Sequence, residues 1–204
     1  MDYKNPYRLP NTPLLKRAIR DVMEYRKTLT QVRLRSRACN IIATNTEDAD
    51  QHFLVAILTR GVLPDCEVRS RYPEQVTKYA EMLDRDYSSL KKAPPQARLF
   101  SLALDVAAIG MVMDRITVDL KKGFDPDEKD LKSLVSIRKT AKETLEAMSP
   151  LEFQRVQRLA KSEIKYADKF IEEYVSTDPK CDLRRPPAGA DVQAWAQKSG
   201  RKLF

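Results

Sequence analysis

Apolar residues recur along most of this chain at intervals of three and four, the period of one helical face. Leu15, Ala18, Ile19, Val22, Leu29 and Val32 share one side of a first segment. Lys16, Arg17, Arg20, Lys27 and Arg35 fall on the other side at 100° per residue. Thr12 is placed to cap this helix, and Pro13 fits its first position, where a missing N–H costs little. The pattern predicts a helix to about Asn40, on the order of 40 Å long. Asn45 or Thr46 is expected to cap a second helix over roughly 47–60, with Glu47, Asp48 and Asp50 at the positive end of its dipole. FLVAIL fills the middle of that helix, and Gly61 stands where a terminating glycine belongs. VLPDCEVRSRYP reads as irregular, and a third helix follows over roughly 73–91.

Pro94-Pro95 interrupts the chain. Beyond it, Leu99, Leu102, Val106, Ile109, Met113, Ile116 and Leu120 are spaced three, four, three, four, three, four. This is a heptad seam, the pattern that pairs helices, and it predicts self-assembly into a homo-oligomer through these seven residues. Gly110 beside the seam suggests a point of close approach. Leu131, Leu134, Ile137, Ala141 and Leu145 carry a second stripe. Phe153, Val156, Ala160, Ile164, Ala167, Ile171 and Tyr174 carry a third, started by Ser149-Pro150. Such helices, joined by short corners, fold back on one another or pair with a neighbouring chain. The expected fold is all-α: a basic N-terminal helical region, a long antiparallel helical hairpin or bundle, and an extended C-terminal tail. The expected divisions are an arm over 1–11, a basic helical domain over 12–93, an oligomerisation domain over 94–177 and the tail over 178–204.

The acidic run FDPDEKD at 124–130 invites comparison with a metal loop. A calcium loop needs glycine at its sixth position and a bidentate glutamate at its twelfth. Counted from Asp125, those places hold Asp130 and Ser136. The run therefore reads as a helix corner, with Gly123 ending one helix, Asp125 capping the next and Pro126 opening it.

Charge sharpens this picture. The formal net charge is +8. Residues 1–40 hold Lys4, Arg8, Lys16, Arg17, Arg20, Arg26, Lys27, Arg33, Arg35 and Arg37 against Asp2, Asp21 and Glu24, ten minus three, so +7 lies in the first fifth of the chain. A localised basic segment points to a polyanion. Lys16, Arg17, Arg20, Lys27, Arg33, Arg35 and Arg37, joined by Arg69 and Arg71 from the irregular segment, are the predicted contacts to a nucleic-acid backbone, most simply DNA. Only five glycines in 204 residues suit long helices with few tight turns. No run of eighteen apolar residues is present, so no membrane span is expected. MDYKNPYRLPNTP has no apolar core, so no signal peptide is expected. Cys39, Cys66 and Cys181, odd in number and far apart, fit reduced thiols in the cytoplasm, or in a virion, rather than a disulfide frame.

Catalytic chemistry is sparse. His52 is the single histidine, beside Phe53 in an apolar stretch, and nothing orients it towards Cys39 or Cys66. The cysteines lack CxxC spacing, so no metal is expected. No GxxxxGK[ST] or GxGxxG occurs, and the Ser-x-x-Lys matches at Ser89, Ser136 and Ser162 are background in so lysine-rich a chain. The expectation is a protein that is not an enzyme and takes no cofactor. A helix-turn-helix fits poorly, since about twelve residues separate the second and third helices where that motif uses three or four.

The order of parts is a basic helical region, a proline break, a hairpin closing at GFDPDEKDLKSLVSIRKTAKETLEAM and a charged tail. It resembles the layout of small terminase subunits of tailed bacteriophages, most closely over about 110–146. The resemblance implies an N-terminal DNA-binding part, a hairpin that builds a ring, and a C-terminal tail that meets a protein partner in viral DNA packaging. The family's compact helix-turn-helix is not evident here. Two other readings stand beside it. One is a helical adaptor or structural protein of a virion or other nucleoprotein assembly. The other, weakest because residues 13–39 lack a Trp/Phe-rich face, is a helix lying on an anionic membrane.

Overall fold

The computed structural model describes residues 13–59 and 67–174, except for the side chains of 13–26, 28 and 173. Among the described residues the fold is all-α, with seven α-helices, a single 3-10 turn and no strand. The helices are α1 (Pro13–Asn45), α2 (Gln51–Thr59), α3 (Glu67–Arg71), α4 (Pro73–Asp84), α5 (Pro95–Lys121), α6 (Glu128–Ala147) and α7 (Gln154–Tyr174). The predicted 1–11 arm, 178–204 tail, Gly61, Cys66 and Cys181 lie outside the described residues.

α5 is the axis of the molecule, packed against α1, α6 and α7. Its apolar positions are so evenly spread around the helix that three neighbours are needed to cover them. α6 runs back along it, as Arg115 reaches Asp130 at 2.7 Å while Thr140 reaches Asp105 at 3.1 Å. α7 returns parallel to α5, with Arg138 and Lys142 of α6 both on Asp168 of α7. α1 lies antiparallel to α5, since Arg37 meets Asp114 while Ile42 packs in the cluster of Leu99 and Leu102.

Two apolar clusters fill the bundle. The first joins Ala38, Cys39 and Ile42 of α1 with Phe53 and Ile57 of α2, the N-terminal half of α5, and Val156 and Ala160 of α7. The second joins the C-terminal half of α5 to α6 and α7 without α1. The first cluster draws on both sides of Pro94-Pro95. The prolines start α5, with Pro95 in its first turn, but the expected boundary between 12–93 and 94–177 does not separate two cores.

The seam behaves differently from the expectation. Leu99, Leu102, Val106, Ile109, Met113 and Ile116 are between 0% and 6% exposed, and Leu120 is half-buried. These side chains, expected to join copies of the chain, are covered by the chain's own α1, α2, α6 and α7, because the short corners let those helices fold back onto α5. Gly110 is no point of tight approach: a Cβ there would stand 3.7 Å from the Arg37 guanidinium, an ordinary contact.

Helix ends depart from the expected bounds by several residues. α1 runs on to Asn45 rather than stopping near Asn40, and Asp50, not Asn45 or Thr46, caps α2 by accepting the His52 N–H at 2.8 Å. The same carboxylate accepts the Tyr79 hydroxyl at 2.5 Å, tying α2 to α4. The connection expected to be irregular holds the short α3, and α4 ends at Asp84 instead of about 91.

At the FDPDEKD corner, Gly123 has φ +77°. Phe124 N–H bonds the Asp119 carbonyl at 2.9 Å and Gly123 N–H bonds the Leu120 carbonyl at 3.0 Å, a Schellman closure. The cap of α6 is Asp127, which accepts the Lys129 N–H at 2.8 Å, in place of the expected Asp125. This later start brings Asp130 onto Arg115 across the hairpin. Ser149 and Glu152 form a capping box around a single turn: Ser149 Oγ accepts the Leu151 N–H and Glu152 accepts the Ser149 N–H. The chain then kinks at Phe153 (φ 47°), and α7 begins only at Gln154.

One half-buried carboxylate lies between α5 and α6. Asp105 faces the hydroxyls of Thr140 (3.1 Å) and Thr144 (3.4 Å), each of which also has a backbone carbonyl of its own helix to bond. Burial pushes the Asp105 carboxyl up to about 6, against the pull of the two hydroxyls and with the push of Glu143's charge. A carboxyl that holds its proton more tightly when folded stabilises the fold most below the unfolded value. That stability falls as pH rises from about 4 through about 6. The shift corresponds to about 2–3 kcal/mol. Asp105→Asn is therefore expected to raise the unfolding free energy at pH 7–8 by about 2 kcal/mol and to leave it unchanged near pH 4. Urea denaturation at the two pH values measures this, and an equal effect at both would contradict it.

Candidate nucleic-acid interface

α1 gathers the positive charge. Between Tyr25 and Thr46 its sequence contains Arg26, Lys27, Arg33, Arg35 and Arg37 and no acid. Arg26, Arg33, Arg35 and Arg37 thus have no carboxylate at helical spacing on the same element, whereas Lys27 has Glu24 three residues before it. Among the α1 side chains described, those seated in the bundle lie from Leu34 onward. No described side chain before Leu34 joins either apolar cluster, and Leu29 and Gln31 are exposed. The stretch Leu34–Asn45 is about 18 Å long, and the whole of α1 about 50 Å.

The predicted contacts divide along that helix. Lys27 and Arg33 are exposed and make no ion pair among the described residues. Arg35 is half-buried and makes an interaction of its own. Arg37 pairs with Asp114 of α5 at 2.6 Å, with the two side chains 48% and 63% exposed. A pair so open to water contributes less than about 1 kcal/mol, so a phosphate oxygen can replace the carboxylate. Lys16, Arg17 and Arg20 belong to α1, but their side chains lie outside those described. Arg69 and Arg71 are exposed on α3, which packs on α2 and α4. They do not continue the α1 row, and Arg71 pairs with Glu67 at 2.7 Å.

A second basic row escapes segment-by-segment charge counting. Arg158, Lys161, Lys165 and Lys169 of α7 are all exposed and share one face of the helix. α7 as a whole has Arg155 and these four against Glu163, Asp168, Glu172 and Glu173, so its net charge is close to zero. The signal was present in the sequence as basic residues spaced three, four and four opposite the apolar stripe.

The groups considered for chemistry are placed quietly. His52 packs on the Tyr72 ring, centroids 4.6 Å apart. Cys39 is buried, and burial raises its thiol pKa, the opposite of what a nucleophile needs. Among the described residues no cluster of three His, Cys, Asp or Glu is arranged to hold a metal. The depression beside the FDPDEKD corner is lined by Asp127, Glu128, Lys129, Lys132, Ser133 and Ser136, all from α6 and its cap, and so is a furrow in the surface of one helix. Among the described residues no helix is long and apolar enough to cross a membrane.

Taken together, the described residues form an all-α helical bundle with rows of exposed bases on α1 and α7. No protein-family model, curated protein sequence or solved structure matches the chain.

Proposed function

We propose that this chain is a non-enzymatic nucleic-acid-binding protein that holds a phosphate backbone against the basic outer side of α1. The observation that carries the reading is the acid-free run of α1 from Arg26 to Arg37, whose exposed Lys27 and Arg33 stand ahead of the part of the helix seated in the bundle. Bases facing phosphates give affinity through released counterions and little preference for sequence. The resemblance to small terminase subunits would place this binding in viral DNA packaging, with residues 178–204 meeting a protein partner. Self-assembly of copies would then use surfaces other than the α5 seam, whose side chains are already covered.

A mobility-shift titration over a salt series tests this. The full chain is expected to bind duplex DNA at low salt, with an affinity that falls steeply as salt rises. The Lys27→Gln/Arg33→Gln variant is expected to lower the salt slope by up to about 1.8, at about 0.9 per phosphate contact. Its melting temperature should stay close to that of the parent, since neither side chain packs in a cluster. A parent that does not bind at low salt, or binds with no salt dependence, would leave the adaptor reading in its place.

A further inference from the structure

The row on α7 is more than a solvated face. Elsewhere on the bundle, several exposed bases sit beside acids: Lys132 by Glu128, Lys139 by Glu143, Arg115 by Asp130, Arg155 by Glu47. Arg158, Lys161, Lys165 and Lys169 make no ion pair or hydrogen bond among the described residues. Between Arg158 and Lys169 the acids of α7 do not interleave with them, and Glu172 and Glu173 follow Lys169 at three and four residues. Asp168 is turned to Arg138 and Lys142 of α6, Glu163 is half-buried about 140° around the helix from Arg158, and Glu172 lies past the end of the row. Lys161–Lys165 and Lys165–Lys169 are like charges one turn apart, each a destabilising pair. The helix thus holds an unfavourable array on an open face. Tyr166 stands at the edge of that array, 56% exposed, next to Lys165 and one turn before Lys169.

We infer that the outer face of α7 is a track for single-stranded nucleic acid. Arg158, Lys161, Lys165 and Lys169 follow the phosphates, and Tyr166 stacks on a base. The row is about 16 Å long, enough to run beside several consecutive phosphates. An exposed ring beside a basic row is of use only where base faces are open, which in a duplex they are not, and a row of bases with an aromatic platform is how single strands are held without reading sequence. This inference rests on the nucleic-acid reading above and deepens it by naming the form of the strand and a second surface.

Fluorescence anisotropy of the full chain with a labelled oligo-dT strand, and with a duplex of the same length, tests it over a salt series. Lys161→Gln/Lys165→Gln/Lys169→Gln is expected to lower the single-strand salt slope by about 2, at about 0.7 per phosphate contact. Circular dichroism should show its helix content kept, since the substitution removes two like-charge pairs. Tyr166→Ala is expected to weaken single-strand binding on the order of tenfold, with the slope and the duplex affinity unchanged. If the triple variant leaves single-strand affinity and slope as they were while the Lys27→Gln/Arg33→Gln variant lowers them, the track is overturned and the α1 reading stands. Equal losses on strand and duplex from Tyr166→Ala overturn the stacking role. A parent chain that binds neither probe overturns both readings.

Discussion

Leu102→Ala is expected to lower the unfolding free energy by about 3 kcal/mol, and by the same amount at every protein concentration. Leu102 is 0% exposed at the middle of the first cluster, where α1, α2, α5 and α7 meet. Truncating a leucine there loses its transfer free energy and leaves a void that interlocked helices only partly close, a cost of about 2–5 kcal/mol in comparable cores. The concentration series carries the structural content. If the partners of the seam are in the same chain, the midpoint of unfolding stays fixed as the protein is diluted. If copies supply them, it moves with concentration by mass action. Urea denaturation of parent and variant over a wide range of concentration separates the two, and a midpoint that shifts on dilution would refute the intrachain packing.

Arg98→Met is expected to cost about 3 kcal/mol, out of proportion to the volume removed. Arg98 is 8% exposed at the start of α5 and clasps three segments. Its Nη2 and Nε meet the Glu152 carboxylate at 2.7 and 3.2 Å, and its Nη1 donates to the carbonyls of Ala93 and Lys91 at the 3-10 turn. Removing one member of a largely buried ion pair leaves the other short of a partner, here Glu152 at 24% exposure, and that penalty can exceed the net worth of the intact pair. Arg98→Met/Glu152→Leu is therefore expected to be less destabilised than the sum of the two single variants, the mark of a direct coupling. Chemical denaturation of the four proteins closes the cycle. Additive single effects would show that the clasp is not an energetic unit. The Ser149–Glu152 turn should loosen in Arg98→Met as well, because Glu152 also accepts the Ser149 N–H.

The contrast between the α5 seam and the α7 row shows where local reasoning runs out. The spacing of Leu99 to Leu120 says that one side of α5 must be covered, and it is covered, to within a few per cent of full burial for six of the seven residues. Spacing cannot say by what. A helix from a second copy and a helix from the same chain satisfy the same apolar stripe, and the choice depends on whether the corners at 122–127 and 148–153 reverse the chain. Both do. Cap positions show a similar limit. Asp125 and Asp127 are equally good caps by residue type, and contacts across the hairpin favour the second. The interface follows the same logic. A count by segment located the bases of α1, whereas the row on α7 cancels in any count by segment and appears only when its acids are seen turned towards α6.

Periodicity, proline placement and the scarcity of glycine were enough to determine an all-α chain, the approximate helices, the glycine-ended corner at 123 and the concentration of charge near the N-terminus. These are consequences of backbone geometry and of neighbours within a turn or two, which sequence carries directly. Tertiary structure alone decided that α5 lies inside its own bundle, that α1 packs there through Leu34, Ala38, Cys39 and Ile42, that Arg37 is met by Asp114, and that Asp105 keeps its proton to higher pH. Each of these depends on which distant segment arrives at a given face, and desolvation and ion pairing are set by that arrival rather than by the residue itself.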